Sequence, residues 1–232
     1  MPANVLVNAL AAELCFPSML RDGYALFERA FGSEELRSWR AAAVRGRAGL
    51  RHCELPDTLI RDVEERLSPL AHEIIGGAAR LVRVLLFDKT AEANWGVPWH
   101  QDRSIAVRER FDLAGHCCWT KRAGYWQVEP PVEALQSMIT LRAHLEDCGE
   151  DNGPLQLIPG SHAAGRLTQT EILTRSKMAN AVTCYARAGD VLAIRPLLIH
   201  SSRPARCPTR RRVLHLEFAA YELARPLQWA LQ

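Results

Sequence analysis

Three residues from two distant segments of the sequence have the side chains that bind a transition metal. His100 and Asp102 are two positions apart, so on an extended strand both side chains point to the same face. His200 lies about 100 residues later, at the end of an apolar run. Two histidines and one carboxylate occupy one face of an Fe(II) ion and leave the other coordination positions open. A lone His-x-Asp pair is common without a metal, so the prediction depends on all three residues.

Arg211 follows His200 by eleven positions and is the second candidate for chemistry. We expect a proline-containing turn to reverse the chain, so that the next strand runs antiparallel and begins at Arg211. A buried arginine requires an anionic partner, and its planar guanidinium matches a carboxylate in two hydrogen bonds. We predict that Arg211 binds the far carboxylate of a keto-diacid whose near end chelates the metal. Arg210 remains an alternative anchor, because three arginines are consecutive here.

The N-terminal third of the chain is predicted to be helical. Ser33 precedes two acidic residues and is expected to cap a helix that runs to about Val44. Asp57 is expected to cap a second helix that ends near Gly76, with a kink or break at Pro69.

From residue 81 onwards, apolar or alternating segments predict strands, over 81–87, 138–146, 155–158, 191–200 and 211–220. The segment 111–131 is predicted to be a long structured loop, a place where binding residues are often found. Helices followed by strands favour a β-sandwich or open barrel with a helical layer outside. No linker is visible, which predicts one domain over 1–232, with helices over about 1–80 and a β core over about 81–221.

Composition and charge exclude several classes of protein. The 232 residues are 48% hydrophobic, and 29 basic residues are interleaved with 26 acidic ones, so neither disorder nor a nucleic-acid partner is expected. No apolar run approaches the ~20 residues of a membrane helix. A signal peptide begins with basic residues, whereas the first Lys or Arg here is Arg21, so no signal peptide is expected. Seven cysteines without a CxxC pair indicate reduced thiols in the cytoplasm, and adjacent Cys117 and Cys118 have poor spacing for a zinc site. Oligomeric state is not predicted.

Four motifs together resemble a known family. They are WHQD, NGPLQLIPGSH, PLLIHSS and RRVLHLEFA, beginning at residues 99, 152, 196 and 211. This set is similar to the phytanoyl-CoA dioxygenase-like group of Fe(II)/2-oxoglutarate oxygenases. The resemblance implies a mainly β fold with a double-stranded β-helix, or jelly-roll, core and flanking N-terminal helices. It also implies Fe(II) as cofactor, 2-oxoglutarate and O₂ as co-substrates, and ascorbate as an optional reductant.

The resemblance also implies roles for individual residues. The iron ligands, and so the catalytic residues, are His100, Asp102 and His200. Arg211 binds the 5-carboxylate of 2-oxoglutarate, and Ser202 assists it. Further candidates for contact with the co-substrate are Thr140, Arg142 and Lys89, each of which could equally belong to a polar surface. Candidates for contact with the substrate are Gln101, Gln127, Trp99 and His215.

The activity that we predict is hydroxylation of an aliphatic C–H bond, with release of succinate and CO₂. The substrate is a small metabolite, a natural-product intermediate or an acyl thioester. One alternative is desaturation, cyclisation or epimerisation at the same triad. Another is an oxygenase that does not use 2-oxoglutarate, but the presence of Arg211 argues against it. A third is a jelly-roll binding or sensor protein without turnover. A cysteine hydrolase has the least support, since no cysteine has an evident histidine partner.

Overall fold

The computed structural model describes residues 17–43, 50–51, 55–122 and 124–231. The helices are α1 (Ser33–Ala42), α2 (Asp57–Ile75), α3 (Val132–Gln136) and α4 (Gln169–Met178). The strands are β1 (Tyr24–Phe27), β2 (Leu50–Arg51), β3 (Arg80–Lys89), β4 (Val97–His100), β5 (Ile105–Val107), β6 (Cys117–Arg122), β7 (Tyr125–Glu129), β8 (Met138–His144), β9 (Leu155–Leu157), β10 (Val182–Cys184), β11 (Val191–Ile194), β12 (His200–Ser202) and β13 (Arg211–Ala219).

Two antiparallel sheets form the walls of the core. The larger has six strands in the order β1-β11-β8-β13-β3-β2, and the smaller has four in the order β10-β9-β12-β4. Residues of both sheets line one interior pocket, so the two sheets face each other. The prediction of a mainly β jelly-roll core with flanking helices is confirmed.

The larger sheet is buried on both faces. Every residue of β8 and β13 is buried, although their sequences alternate between apolar and polar side chains. The apolar side chains belong to the main hydrophobic cluster, together with the buried face of α2, which contains Leu59, Val63, Leu67 and Leu70. Burying each such side chain contributes roughly 1.5–3 kcal/mol, so this face supplies much of the stability. The polar side chains of both strands except Arg212 point the other way, into the interior.

Both helix caps differ from the prediction. Gly32 is the N-cap of α1 and Ser33 is its first residue, because the Glu35 carboxylate accepts the Gly32 N–H at 3.0 Å. The helix ends at Ala42, and Val44 lies outside the described residues.

The second helix is also capped one residue earlier than predicted. Pro56 is the N-cap of α2, and Asp57 is its first helical residue. The helix runs continuously through Pro69, where a kink or break was predicted. Packing of its apolar face on the sheet offsets the one backbone hydrogen bond that proline cannot donate.

The single strand predicted over 191–200 is two strands in different sheets. β11 ends at Ile194, and the Leu198 N–H then donates to the Arg195 carbonyl in a turn that contains Pro196. His200 therefore begins β12 in the smaller sheet, and it does not share a strand face with Leu192 and Ile194. The expected antiparallel pairing of β12 with β13 is also wrong, because β13 lies between β8 and β3.

The segment predicted as a loop over 111–131 contains two strands. β6 and β7 form a hairpin, and with β5 they make a third, three-stranded sheet in the order β5-β7-β6. Trp119 and Trp126 pack edge to face on this hairpin, with ring centroids 6.2 Å apart. Within the described part of the chain, no helix is long and apolar enough to cross a membrane.

Candidate functional site

His100, Asp102 and His200 come together between β4 and β12. His100 and His200 are direct cross-strand partners, which places their rings on the same face with centroids 4.1 Å apart. Each Nε2 atom lies 3.6 Å from a carboxylate oxygen of Asp102, whose own backbone N–H donates to the Pro196 carbonyl. The three ligand atoms all lie within 4.8 Å of one another. Ligand atoms around one ion with bonds of ~2.1 Å are roughly 3.0–3.4 Å apart, so this spacing fits a metal.

The hydrogen bonds around the triad also fit a metal. The Nδ1–H of His100 donates to the Pro98 carbonyl at 2.9 Å, and that of His200 donates to the Leu198 carbonyl at 2.8 Å. This leaves the lone pair of each Nε2 free for an ion, the usual arrangement of histidine ligands. Asp102 Oδ2 is buried and accepts no hydrogen bond from any described residue. A cation would satisfy that oxygen.

Burial and the charges of the neighbouring ligands set the pKa values of the three triad side chains. Burial opposes ionisation of Asp102, but the neighbouring His200 and His100 outweigh it and hold the pKa of the carboxyl well below its usual range. Burial lowers the pKa of His200 to about 4, so its imidazole is neutral near neutral pH. Asp102 and His200 are therefore a carboxylate and a neutral imidazole, as metal binding requires. At His100 burial is outweighed by the hydrogen bond and charge of Asp102, which raise the pKa of the imidazole, so a metal competes with a proton at that ring.

A pocket of about 180 Å³ opens beside the triad. Its walls come from both sheets and from the segment before β4. The lining residues are Phe87, Lys89, Trp95, Val97, His100, Asp102, Arg142, Leu155, His200, Ser202, Arg211 and His215. Lys89, Arg142 and Arg211 bring three positive charges to the pocket, and Asp102 is its one carboxylate. The pocket therefore suits a small anion held against a metal.

The structure brings Arg211 into this pocket and places Arg210 outside it. Arg211 is 4% exposed, and its Nη1 donates to the Gly153 carbonyl at 2.7 Å. Its Nε has no partner among the described residues, so part of the guanidinium remains available to a ligand. Arg210 instead forms two hydrogen bonds with the buried carboxylate of Asp88. Ser202, in β12 of the smaller sheet, lies in the pocket wall with Arg211.

Lys89 and Arg142 are the other cations of the pocket. Lys89 is 1% exposed, and its ammonium donates to the Arg203 carbonyl at 3.0 Å. Burial and the neighbouring Arg211 lower its pKa to about 8. Burial and Arg211 also lower the pKa of Arg142, to about 10. Among the residues that the structure describes, none offers either side chain a carboxylate within hydrogen-bonding distance, so both can respond to a bound anion.

His215 connects the pocket to a buried ion pair. Its Nδ1 accepts a hydrogen bond from Arg142 at 2.9 Å, since a guanidinium can only donate. Its Nε2–H therefore donates to Glu217, at 3.2 Å. Glu217 also accepts a hydrogen bond from Arg83 across the strands. His215 thus acts as a support for Arg142 on the pocket wall.

Four of the residues proposed from the sequence lie outside the pocket wall. Thr140 is buried on the interior face of β8, where it lies two residues before Arg142 and is the cross-strand partner of Glu217. The Gln101 side chain donates to the backbone carbonyls of Gly165 and Leu197 and accepts from the Leu167 N–H.

Trp99 and Gln127 also lie elsewhere. Trp99 packs against an apolar cluster that includes Ile158 and Ile199, because it points to the opposite face of β4 from His100. Gln127 lies on the small sheet, where its carbonyl oxygen accepts from Ser104 at 3.5 Å.

Sequence reasoning missed part of the site. Phe87, Trp95, Val97 and Leu155 form apolar walls, and their patterns are those of ordinary core residues. The partner of Arg211, Gly153, has a left-handed φ of 63°, and a Cβ there would lie 2.5 Å from the Arg203 carbonyl oxygen. The Asn-Gly dipeptide is the signal that could have identified this turn. The pairing of Arg83 with Glu217 carries no sequence signal.

A jelly roll that holds two histidines and one carboxylate beside a cationic pocket defines the class of non-haem iron enzymes that use a small anionic co-substrate. Comparison with family models gives a match to phytanoyl-CoA dioxygenase (PhyH) over residues 19–213. The chain belongs to the phytanoyl-CoA dioxygenase family. It is an Fe(II)- and 2-oxoglutarate-dependent enzyme of the oxygenase type.

Solved structures share the fold. AviO1 from Streptomyces viridochromogenes Tue57 is 22% identical with a TM-score of 0.66, and the match covers 93% of this chain and 97% of that one. The epimerase SnoN, in complex with Fe³⁺, alpha ketoglutarate and nogalamycin RO, is 18% identical with a TM-score of 0.68, covering 91% and 84%. HygX from Streptomyces hygroscopicus, with nickel and 2-oxoglutarate bound, is 18% identical with a TM-score of 0.60, covering 87% and 83%. A search of curated proteins gives no significant match.

Proposed function

We propose that this enzyme hydroxylates an aliphatic C–H bond of a small molecule, with release of succinate and CO₂. The observation that carries the proposal is the presence of a complete triad and a buried arginine in one pocket of about 180 Å³. A pocket of this size can hold a five-carbon diacid but leaves little room for a second organic molecule. The substrate must therefore bind at the mouth of the pocket.

His100, Asp102 and His200 would hold the iron, and the remaining coordination positions would face the pocket. With O₂ as the oxidant, bound iron would couple the oxidative decarboxylation of 2-oxoglutarate to oxidation of the C–H bond. The protein contributes the geometry: Arg211 and Ser202 bind the distal carboxylate of the diacid, and Gly153 holds Arg211 in place. Lys89 and Arg142 stabilise the negative charge of the same ligand. Phe87, Trp95 and Leu155 exclude water from the ligand.

The small three-stranded sheet is our candidate for substrate selection. It follows Asp102 directly in the chain, and Ser104, two residues after Asp102, donates a hydrogen bond to Gln127 of its middle strand. His215 lies in the pocket wall and accepts a hydrogen bond from Arg142, so its role is to position that arginine. Gln101 and Trp99 contact the opposite face of the strand that carries His100, and so they position that strand.

Other oxidative outcomes at the same triad are the second candidate. Their support is the shared fold with SnoN, an epimerase, at a TM-score of 0.68. An acyl thioester remains within the substrate class, although no nucleotide-binding motif is visible in the sequence. A cytoplasmic location is supported by the five described cysteines, all of which are free thiols.

The test is substrate-coupled turnover. Purified enzyme loaded with Fe(II) is incubated with 2-oxoglutarate, ¹⁸O₂ and pools of candidate small molecules, and succinate is measured together with product mass. We expect one pool to stimulate succinate formation and to yield a product that has gained one labelled oxygen atom. Succinate coupled to a product without labelled oxygen would favour desaturation, cyclisation or epimerisation. A protein that binds 2-oxoglutarate but never forms succinate would be a binding protein.

A further inference from the structure

A second group of potential metal ligands lies on the small sheet, outside the 2-oxoglutarate pocket. It consists of Cys117, Cys118 and Glu129, whose sulfur and carboxylate atoms all lie within 4.8 Å of one another. Among the described residues, this group and the triad are the two that meet that criterion. Both thiols are exposed, so an ion in solution can reach them.

The backbone of β6 is what brings the two thiols together. Neighbouring residues of a regular strand point to opposite faces, which is why adjacent cysteines have poor spacing for a metal site. Here the register of β6 against β7 shifts between Cys117 and Thr120, and Cys118 has a left-handed φ of 57°. The two sulfur atoms consequently lie 3.6 Å apart on one side of the strand. A left-handed φ at a residue other than glycine is strained, and such strain is found most often at functional sites.

The distance between the sulfurs favours a shared metal over a disulfide bond. Two thiolates in a tetrahedral site with bonds of ~2.3 Å have sulfurs about 3.8 Å apart, close to the observed 3.6 Å. A disulfide needs an S–S distance of about 2.05 Å and usually a Cα separation of about 4.4–6.8 Å. Adjacent residues have Cα atoms only ~3.8 Å apart, so closing this pair would distort the backbone.

The charges around the group also suit a cation bound by anionic ligands. Glu129 is the cross-strand partner of Cys117, so its carboxylate is on the same face. Arg103 and Arg166 lie 3.1 and 3.7 Å from that carboxylate. Two thiolates and one carboxylate around a divalent ion carry one excess negative charge. The two arginines, each paired with one oxygen of Glu129, supply two positive charges beside it.

We propose that Cys117, Cys118 and Glu129 form a binding site for a thiophilic divalent cation of the Zn(II) type. Thiolates favour such ions, whereas two imidazoles and a carboxylate suit iron, so the two sites of the molecule select different metals. Binding replaces the two thiol protons, which pass to solvent, and involves no oxidation or reduction. The fourth tetrahedral position remains open to water.

The test uses cadmium as the probe, because Cd(II) bound to thiolates shows sulfur-to-metal charge-transfer absorption in the ultraviolet. Fully reduced protein is titrated with cadmium chloride in the absence of oxygen. We expect the band to saturate at one equivalent per chain and Zn(II) to compete it away. Cadmium bound at the triad would give no such band, because those ligands are nitrogen and oxygen.

Three variants make the result specific. The double variant Cys117→Ser/Cys118→Ser should lose the band, and Cys207→Ser, which changes another exposed cysteine, should keep it. Glu129→Gln should keep the band but bind cadmium at least about tenfold more weakly. Loss of a contact that supports a ligand already lowers metal affinity by that factor, and loss of the ligand itself should lower it at least as much. A wild-type titration without a thiolate band, or a band that persists in the double variant, would overturn the proposal.

Discussion

Arg211 and Arg212 are neighbours in β13, yet they serve opposite faces of the larger sheet. Arg211 points inward, where its guanidinium lines the pocket beside the triad. Arg212 points outward, where it bonds the Glu146 carboxylate and the backbone carbonyls of Arg40 and Ala43 at the end of α1. Both are nearly fully buried. The difference shows that a buried arginine with a carboxylate partner holds the fold together, whereas one without such a partner is available for a ligand.

The largest effect is expected from removing the acidic metal ligand. Asp102→Ala leaves two histidines with no compensating negative charge, so iron binding should fall by much more than the ~10–100-fold that loss of a supporting contact costs. Turnover should become undetectable. Metal content after loading with Fe(II) measures the first effect, and succinate release measures the second. An Asp102→Ala protein that keeps a full equivalent of iron would show that the metal lies elsewhere.

The next effect separates the two faces of β13. Arg211→Ala should weaken 2-oxoglutarate binding by about 100-fold, because two charge-assisted hydrogen bonds to one carboxylate are worth about 3 kcal/mol. Calorimetric titration of the iron-loaded protein measures the affinity. Arg210→Ala is the matched control, since Arg210 bonds Asp88 outside the pocket. If Arg211→Ala and Arg210→Ala lost 2-oxoglutarate affinity equally, Arg211 would not be the specific anchor of the diacid.

The reciprocal variant, Arg212→Ala, should lower the stability of the fold and leave 2-oxoglutarate binding unchanged. Arg212→Ala breaks a largely buried ion pair, leaves Glu146 with only its 3.4 Å contact to Arg40, and removes the hydrogen bonds to the Arg40 and Ala43 carbonyls. The free energy of unfolding should therefore fall by about 3 kcal/mol. The 2-oxoglutarate affinity of the folded protein should stay within about twofold of wild type. Urea denaturation and calorimetry on the same preparation measure the two quantities. If Arg212→Ala lost affinity without losing stability, the two faces would not be independent.

The smallest effect is a dependence on pH. Burial and Arg211 lower the pKa of Lys89 to about 8, so its ammonium loses a proton as the pH rises from about 7 to about 9. A neutral amine no longer attracts a dianion, and 2-oxoglutarate affinity should fall about five- to tenfold over that range. Bound diacid raises the pKa again, so binding near pH 8 should take up protons. Lys89→Met should bind more weakly at pH 7 and lose most of this pH dependence.

Much of the fold and site could be predicted from the sequence, because the signals were local. The His-x-Asp spacing places two side chains on one face of a strand, and the alternation in 211–219 separates Arg211 from Arg212. The break at Arg195 was missed because the apolar pattern continues through Pro196, although a proline in a central strand argues against one continuous strand. That break decides which sheet carries His200.

Contacts between distant segments could not be predicted. Nothing in the sequence pairs His215 with Arg142 or Glu217 with Arg83, because such contacts depend on the register between strands. The same limit applies to Cys117 and Cys118, whose adjacency argues against a shared site on a regular strand. A left-handed residue and a register shift reverse that conclusion, and neither has a sequence signal here.

The most direct measurement is the visible absorption of the oxygen-free protein with Fe(II) and 2-oxoglutarate. When the diacid chelates iron in the pocket, a metal-to-ligand charge-transfer band should appear in wild type. The band should need far more 2-oxoglutarate in Arg211→Ala and should be normal in Arg212→Ala. If wild type showed no band, or if Arg212→Ala lost the band while Arg211→Ala kept it, the assignment of the inner face to iron and 2-oxoglutarate would be contradicted.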